Sequence, residues 1–423
     1  MNSLISKYVG VLRFFCPWVI GLVSSDSHAD LFDADFSAFN LNGLLDLRYQ
    51  YSDSQPGEIE NGLGKFRDGG NNSRFLANEA ALVLQTRLDW DWSSTLTLKY
   101  ADHQHTPVDL SEAFLVYRPV STSAWQFGTR LGMFIPPVSM ENIGTAWTSP
   151  YSLTSSAINT WVGEELKVFG AEAHIRFQTE GGDRLKWFAA GYANNDTAGV
   201  LLAWRGWSLH DYEATLNDQF VLPESLGIQT HLPLQASVTK PFVEVDGRPG
   251  YYSGVSIDRP EAYNFRVLYY DNLGNPTALE NGQYSWRTQF WSLGLQVHLP
   301  WEWIFISQGM SGQTRMGERI QGLFAVDNGF WSASFLISKK MGNQRFSIRH
   351  EYFATDENDF LPLDQNEERG HALTINYNLT LAQRHQINFE FTHIDSDRQS
   401  RVNLDQQTRQ EENLWQIAYR LFF

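Results

Sequence analysis

Residues 413–423 read NLWQIAYRLFF, and this closing stretch decides the fold. Side chains of a strand alternate between two faces, so Trp415, Ile417, Tyr419, Leu421 and Phe423 share one face and Leu414, Gln416, Ala418, Arg420 and Phe422 the other. The first face is wholly apolar, whereas the second carries an amide and a guanidinium. A soluble sheet would need a core to cover the first face. Lipid covers it without one and leaves the polar face to a wet interior.

The same two-faced pattern recurs along the chain. In 40–51, Leu41, Leu45, Leu47, Tyr49 and Tyr51 face one way and Asn42, Asp46, Arg48 and Gln50 the other. In 75–90, Ala80, Leu82, Leu84, Leu88 and Trp90 oppose Glu79, Gln85, Arg87 and Asp89. Trp90 and Trp92 stand where an interfacial aromatic girdle belongs. Leu96, Leu98 and Tyr100 alternate with Thr95, Thr97 and Lys99; Ala113, Leu115 and Tyr117 with Glu112 and Arg118; Trp125, Phe127 and Leu131 with Gln126 and Arg130. Each segment has about the ten residues a tilted crossing needs. Further strands are expected near 166–178, 184–194, 236–245, 261–270, 284–299, 303–313, 329–338, 344–353, 370–379, 384–394 and 412–423. The reading is an all-β transmembrane antiparallel barrel of about 16 strands, with 14 to 18 as the range. The weakest segments are 236–245 and 303–313, the latter because Gly309 and Gly312 interrupt it.

The connections test this independently, because a barrel with both chain ends at one rim alternates long loops with short turns. Short ones fall at 91–93, 119–123, 179–183, 300–302, 339–343 and 380–383. Long ones intervene at 52–74, 133–165, 195–235, 271–283, 354–369 and 395–411. The connection 246–260 is longer than a short turn should be.

Composition agrees. Aromatic residues make up 14% of the 423 while the mean hydropathy is −0.35, so apolar residues are interleaved with polar ones. Lys7 and Arg13 precede an apolar run at 14–23 that is too short to span a bilayer, and Ser27-His28-Ala29 offers a signal-peptidase site. The expected organisation is a signal peptide at 1–29 and a barrel domain at 30–423, secreted to the periplasm. The one cysteine, Cys16, lies in that signal, which excludes a disulfide framework from the barrel. A net charge of −16 argues against nucleic acid as a partner.

The last residues resemble the C-terminal assembly signal of bacterial outer-membrane barrels. With the strands placed, 40–423 resembles a Gram-negative outer-membrane porin, nearest to the phosphate-selective porin O and P family and its relatives. The most specific likeness lies in 125–172, with GTRLGMFIPPVSMENIG and GEELKVFGAE, where a glycine-containing strand end leads into a proline-bearing loop with Pro136, Ser139 and Glu141. The resemblance implies a passive pore, a homotrimer, an outer-membrane location with lipid and lipopolysaccharide around it, and no cofactor. Phosphate selectivity in the family relies on ladders of arginine and lysine. With 32 basic residues against 48 acidic, the pore carries over and the phosphate does not.

In general porins the third outer loop folds into the barrel, and the long, proline-bearing segment 133–165 matches it in position and size. Folded inward, it would bring Glu141, Glu164 and Glu165 to the constriction. Opposite, Arg48, Arg87, Lys99, Arg118 and Arg130 recur on inward faces as a pore-lining basic wall, so a transverse field would cross the opening. The alternative for each charge is pairing with neighbours such as Asp46, Glu79, Asp89 and Glu112. The fourth loop, with Trp204, Trp207, His210 and Tyr212, is expected to pack over the third.

No GxSxG, HExxH or P-loop is present, so nothing points to an enzyme, and the histidines offer no metal-ligand spacing. The expected function is passive diffusion of small hydrophilic solutes or ions. The alternative is a non-conducting surface barrel that binds partners, as an adhesin or receptor, through its acidic loops.

Overall fold

The computed structural model describes residues 39–423. The signal peptide expected at 1–29 and the start at Asp30 lie outside the described residues. Sixteen antiparallel strands close one barrel. In chain order they are β1 (Phe39–Ser52), β2 (Asn72–Arg87), β3 (Trp92–Ala101), β4 (Asp109–Tyr117), β5 (Trp125–Phe134), β6 (Val168–Gln178), β7 (Arg184–Ala193) and β8 (Gly250–Arg259). The second half comprises β9 (Tyr263–Asp271), β10 (Arg287–Leu299), β11 (Trp303–Ile320), β12 (Leu323–Met341), β13 (Gln344–Glu357), β14 (Glu368–Leu381), β15 (His385–Arg398) and β16 (Arg409–Phe422). Each pairs with the next. The ring closes where β1 meets β16, from Leu44 opposite Phe422 to Ser52 opposite Leu414, so the barrel keeps no open edge. At this seam Gly43 and Phe423 exchange backbone hydrogen bonds of 2.7 and 3.1 Å.

Alternation sets the two environments as expected. Trp415 and Ile417 are 55% and 49% exposed on the outer wall, whereas Gln416 and Arg420 between and beyond them are buried. On β1, Tyr49 and Tyr51 face out and Asp46, Arg48 and Gln50 face in, buried. Outward rings meet across strands, Phe391 with Trp415 at 4.2 Å and Tyr269 with Trp291 at 4.9 Å, contacts that reinforce pairing on the lipid side. No helix among the described residues is long and apolar enough to cross a membrane.

The segment 303–313 does form a strand, and it extends through β11. Gly312 is no defect there, since the space a Cβ would fill holds Phe290 and the tip of Phe330. The segment 236–245 is not a barrel strand. Only Val238–Thr239 pairs, with Phe220–Val221, in a short ladder inside the connection 194–249. The eighth strand is β8, which lies in the stretch read as an overlong connection. Pro241 lacks the N–H a central ladder needs. In β8 the inward positions are Tyr252, Gly254 and Ser256, and small residues concealed the alternation; the ring of Phe188 fills the room above Gly254.

Turns of two to seven residues join the strands at one rim and, mostly, long connections join them at the other. The exceptions are the seven-residue connection 102–108 and the two-residue turn Gln321-Gly322 between β11 and β12, the longest strands at 18 and 19 residues. Both turn residues have positive φ, 52° and 96°, as a tight hairpin of matching twist requires.

Two long connections turn inward and carry helices, and Phe66 of the connection 53–71 packs into the same core. The first, 135–167, carries α1 (Ala157–Glu165), every residue of which is buried. The second, 194–249, carries α2 (Val200–Trp204) and α3 (Leu226–His231). Trp161 of α1 lies 5.2 Å from Phe330 and 5.5 Å from Phe290, with Trp207 at 6.3 Å, so part of the barrel interior is a packed apolar core.

Candidate pore constriction

The inward faces of the strands hold the first inserted connection by its backbone. Glu390 of β15 accepts hydrogen bonds from the Leu153 and Thr154 N–H groups at 2.6 and 2.8 Å. Glu351 of β13 accepts one from Ala157 N–H at 2.7 Å, at the first residue of α1. Gln308 of β11 accepts from Met140 N–H at 3.1 Å. These donors lack helical or sheet partners, so two wall carboxylates and the Gln308 amide oxygen satisfy groups that would otherwise be costly to bury.

Each glutamate expected at the constriction is likewise held. Glu141 accepts from Ser156 N–H at 2.7 Å and Asn159 Nδ2 at 2.8 Å, and it pairs with Arg349 at 3.3 Å. Glu164 pairs with Arg205 and with His210 at 2.9 Å, and Arg205 also pairs with Glu58 from the connection 53–71. Burial alone would raise the Glu164 carboxyl, but Arg205 and His210 hold it well below the usual range. Glu165 has no cation beside it. It accepts from Trp161 Nε1 at 2.5 Å, Gly199 N–H at 3.0 Å and Leu201 N–H at 3.1 Å, and burial pushes its pKa up to about 7.

The five basic residues separate by depth. Arg48 pairs with Asp46 at 2.7 Å and with Asp211 of the second inserted connection. Lys99 pairs with Glu79 at 2.7 Å and Glu213 at 2.9 Å. Arg130 pairs with Glu172 at 3.1 Å and lies 3.8 Å over the ring of Phe134. Arg87 and Arg118 are exposed at the short-turn rim. The structure thus brings Arg48 and Lys99 together beside Asp211 and Glu213, while Glu141 meets Arg349 on another part of the wall.

Sequence reading missed Asp211 and Glu213, which sit in a connection without periodicity, and it left Arg349, Glu351, Glu390 and Arg420 out of the site, although it placed Arg420 on an inward face. The last four were within reach, because each alternates with outward apolar residues on its strand. Arg420 pairs with Asp46 at 2.6 Å and Asp211 at 3.4 Å, and so completes a cluster of two arginines and two aspartates.

No protein-family model and no curated protein matches the chain. Solved structures share its fold. The outer membrane channel DcaP of Acinetobacter baumannii superposes with a TM-score of 0.57 at 10% identity, covering 94% of this chain and 100% of that one. The anion-selective porin from Comamonas acidovorans gives 0.52 at 12%, over 91% and 99%. The trimer form of OmpT, an outer membrane protein of Vibrio cholerae, gives 0.50 at 8%, over 92% and 100%. At such identities the likeness is one of fold.

Proposed function

We propose that this chain is an outer-membrane porin through which small hydrophilic solutes or ions diffuse passively, with the connection 135–167 setting the size limit. The observation that carries the reading is a closed 16-strand barrel with an apolar outer wall, a charged inner wall and a loop tied into the lumen. The fold shared with channels and porins supports it. On this reading residues 1–29 are removed on export, the barrel sits in the outer membrane of a Gram-negative cell among lipid and lipopolysaccharide, and it assembles as a homotrimer. It stands near the phosphate-selective porins in architecture without their selectivity. No catalysis is assigned to it.

Glu141, Glu164 and Glu165, with Arg48, Arg87, Lys99, Arg118 and Arg130, are proposed to set the electrostatic field of the lumen that solutes cross. Replacing the three glutamates by glutamine leaves Arg349 and Arg205 short of counter-charge, so selectivity is expected to move toward anions. A reversal potential under a salt gradient reads this shift, and an unchanged potential removes the three from the path.

The primary test is single-channel conductance of the purified protein in a planar bilayer. Stable open steps are expected. The second reading, a non-conducting receptor or adhesin, draws on how fully the two inserted connections fill the lumen. A silent bilayer, with folding verified by heat-modifiable gel mobility, would favour it.

A further inference from the structure

Two cavities lie one above the other against the inner wall formed by β1 to β4. The lower, about 370 Å³, faces the short-turn rim and is lined by Asn42, Val83, Gln85, Thr97 and Glu112 together with 142–147. The upper, about 40 Å³, faces the long-loop rim and is lined by Arg48, Gln50, Asn78, Lys99 and the stretch 209–213. On β3 the lining passes from Thr97 below to Lys99 above, consecutive residues on one face of the strand.

What divides the cavities is a septum about one side chain thick. Its apolar part is Leu44, Ala81 and Val83 against Ala146 at the tip of the first inserted connection. Its polar part is Lys99, which donates to the Ala146 carbonyl at 3.3 Å and pairs with Glu79 and Glu213. Glu213 also pairs with Lys167 at 3.0 Å and accepts from Ser111 Oγ. Lys99, Glu79 and Glu213 are each 3% exposed or less, so the junction is almost wholly withdrawn from bulk solvent and borders only the small upper cavity. Leu44, Glu79, Ala81, Val83, Lys99 and Ser111 belong to the strands; Ala146 and Lys167 come from the first inserted connection and Glu213 from the second.

We propose that the solute path runs along the β1–β4 wall through these two cavities, and that the Lys99–Glu213 junction between wall and second inserted connection is its gate. This rests on the porin reading above. The Lys99–Glu213 pair is the contact by which the second inserted connection is tied to this wall between the two cavities, so its release is the step by which that connection would free the passage. Charge selects the entrant: an ion that takes the place of one partner replaces its Coulomb contact, whereas a neutral solute of the same size leaves two buried charges unpaired. The second inserted connection, and not the first alone, then controls passage.

The test uses Glu213→Gln from the loop side and Lys99→Gln from the wall side, in planar bilayers with KCl. Either variant is expected to raise mean conductance several-fold over the unsubstituted protein, and both by the same route. An independent readout places a thiol below the septum by Thr97→Cys; the sole native cysteine, Cys16, lies in the expected signal. In intact cells a membrane-impermeant thiosulfonate is expected to leave T97C unlabelled and to label it once E213Q is added. Conductance in the unsubstituted protein that neither variant changes, with T97C labelling also unchanged, overturns the gate and leaves the porin reading standing. Silence from all three folded proteins overturns both.

Discussion

At the scale of the residue, Glu165 is a carboxyl whose burial is offset by three donors and by no cation. The folded protein keeps its proton up to about pH 7, while the unfolded chain releases it near 4.5. The contribution is therefore greatest below the unfolded value and is lost as pH rises through this window, at most about 1.4 kcal/mol per pH unit. Glu165→Gln is expected to flatten thermal stability between those limits relative to the unsubstituted barrel, as read by loss of heat-modifiable mobility. Gly132 makes a different demand. Its φ is 133°, and a Cβ would stand 2.3 Å from the Ala113 carbonyl oxygen where β5 leads into the first inserted connection. Gly132→Ala should cost about 1–3 kcal/mol in a denaturant titration, through strain that neither strand can relieve without shifting.

At the scale of the element, β8 offers a direct check on register. Val255 is 44% exposed on the outer wall, and a lysine there faces hydrocarbon, with an expected cost of about 2–4 kcal/mol near the bilayer midplane. Val238 lies in a two-residue ladder within a connection, and lysine there should cost less than about 1 kcal/mol. Unfolding midpoints of Val255→Lys and Val238→Lys would reverse in order if the strand lay at 236–245. The contrast shows what could be read from sequence. Strands such as β1 and β16 were legible because large apolar and charged residues alternate without interruption. β8 was not, because Gly254 and Ser256 carry no hydropathy signal, and Gly254 is specified by the Phe188 ring packed above it. For the lumen, the inward direction of Arg48 and Lys99 followed from alternation, but their partners Asp211 and Glu213 did not. Those two are fixed by where a 56-residue connection lands, and tertiary placement of an irregular segment leaves no period to detect.

At the scale of the molecule, the inner wall is charged yet nearly neutralised by pairing, and the outer wall is apolar. A net charge of −16 therefore reports mainly on the loops and says little about the lumen. For the trimer, chemical cross-linking in native membranes is expected to give a ladder that stops at three copies, and a ladder stopping at one would remove the assembly from the proposal. The seam between β1 and β16 carries a consequence for how the molecule comes to exist. The last barrel strand is the partner of the first, and the inserted connections are bonded to strands on both sides of that seam, through Arg48 and Lys99 near one end of the chain and Glu390 and Arg420 near the other. Sealing the ring and seating its contents are thus one coupled step, since neither inserted connection has all its partners until both ends of the chain have met.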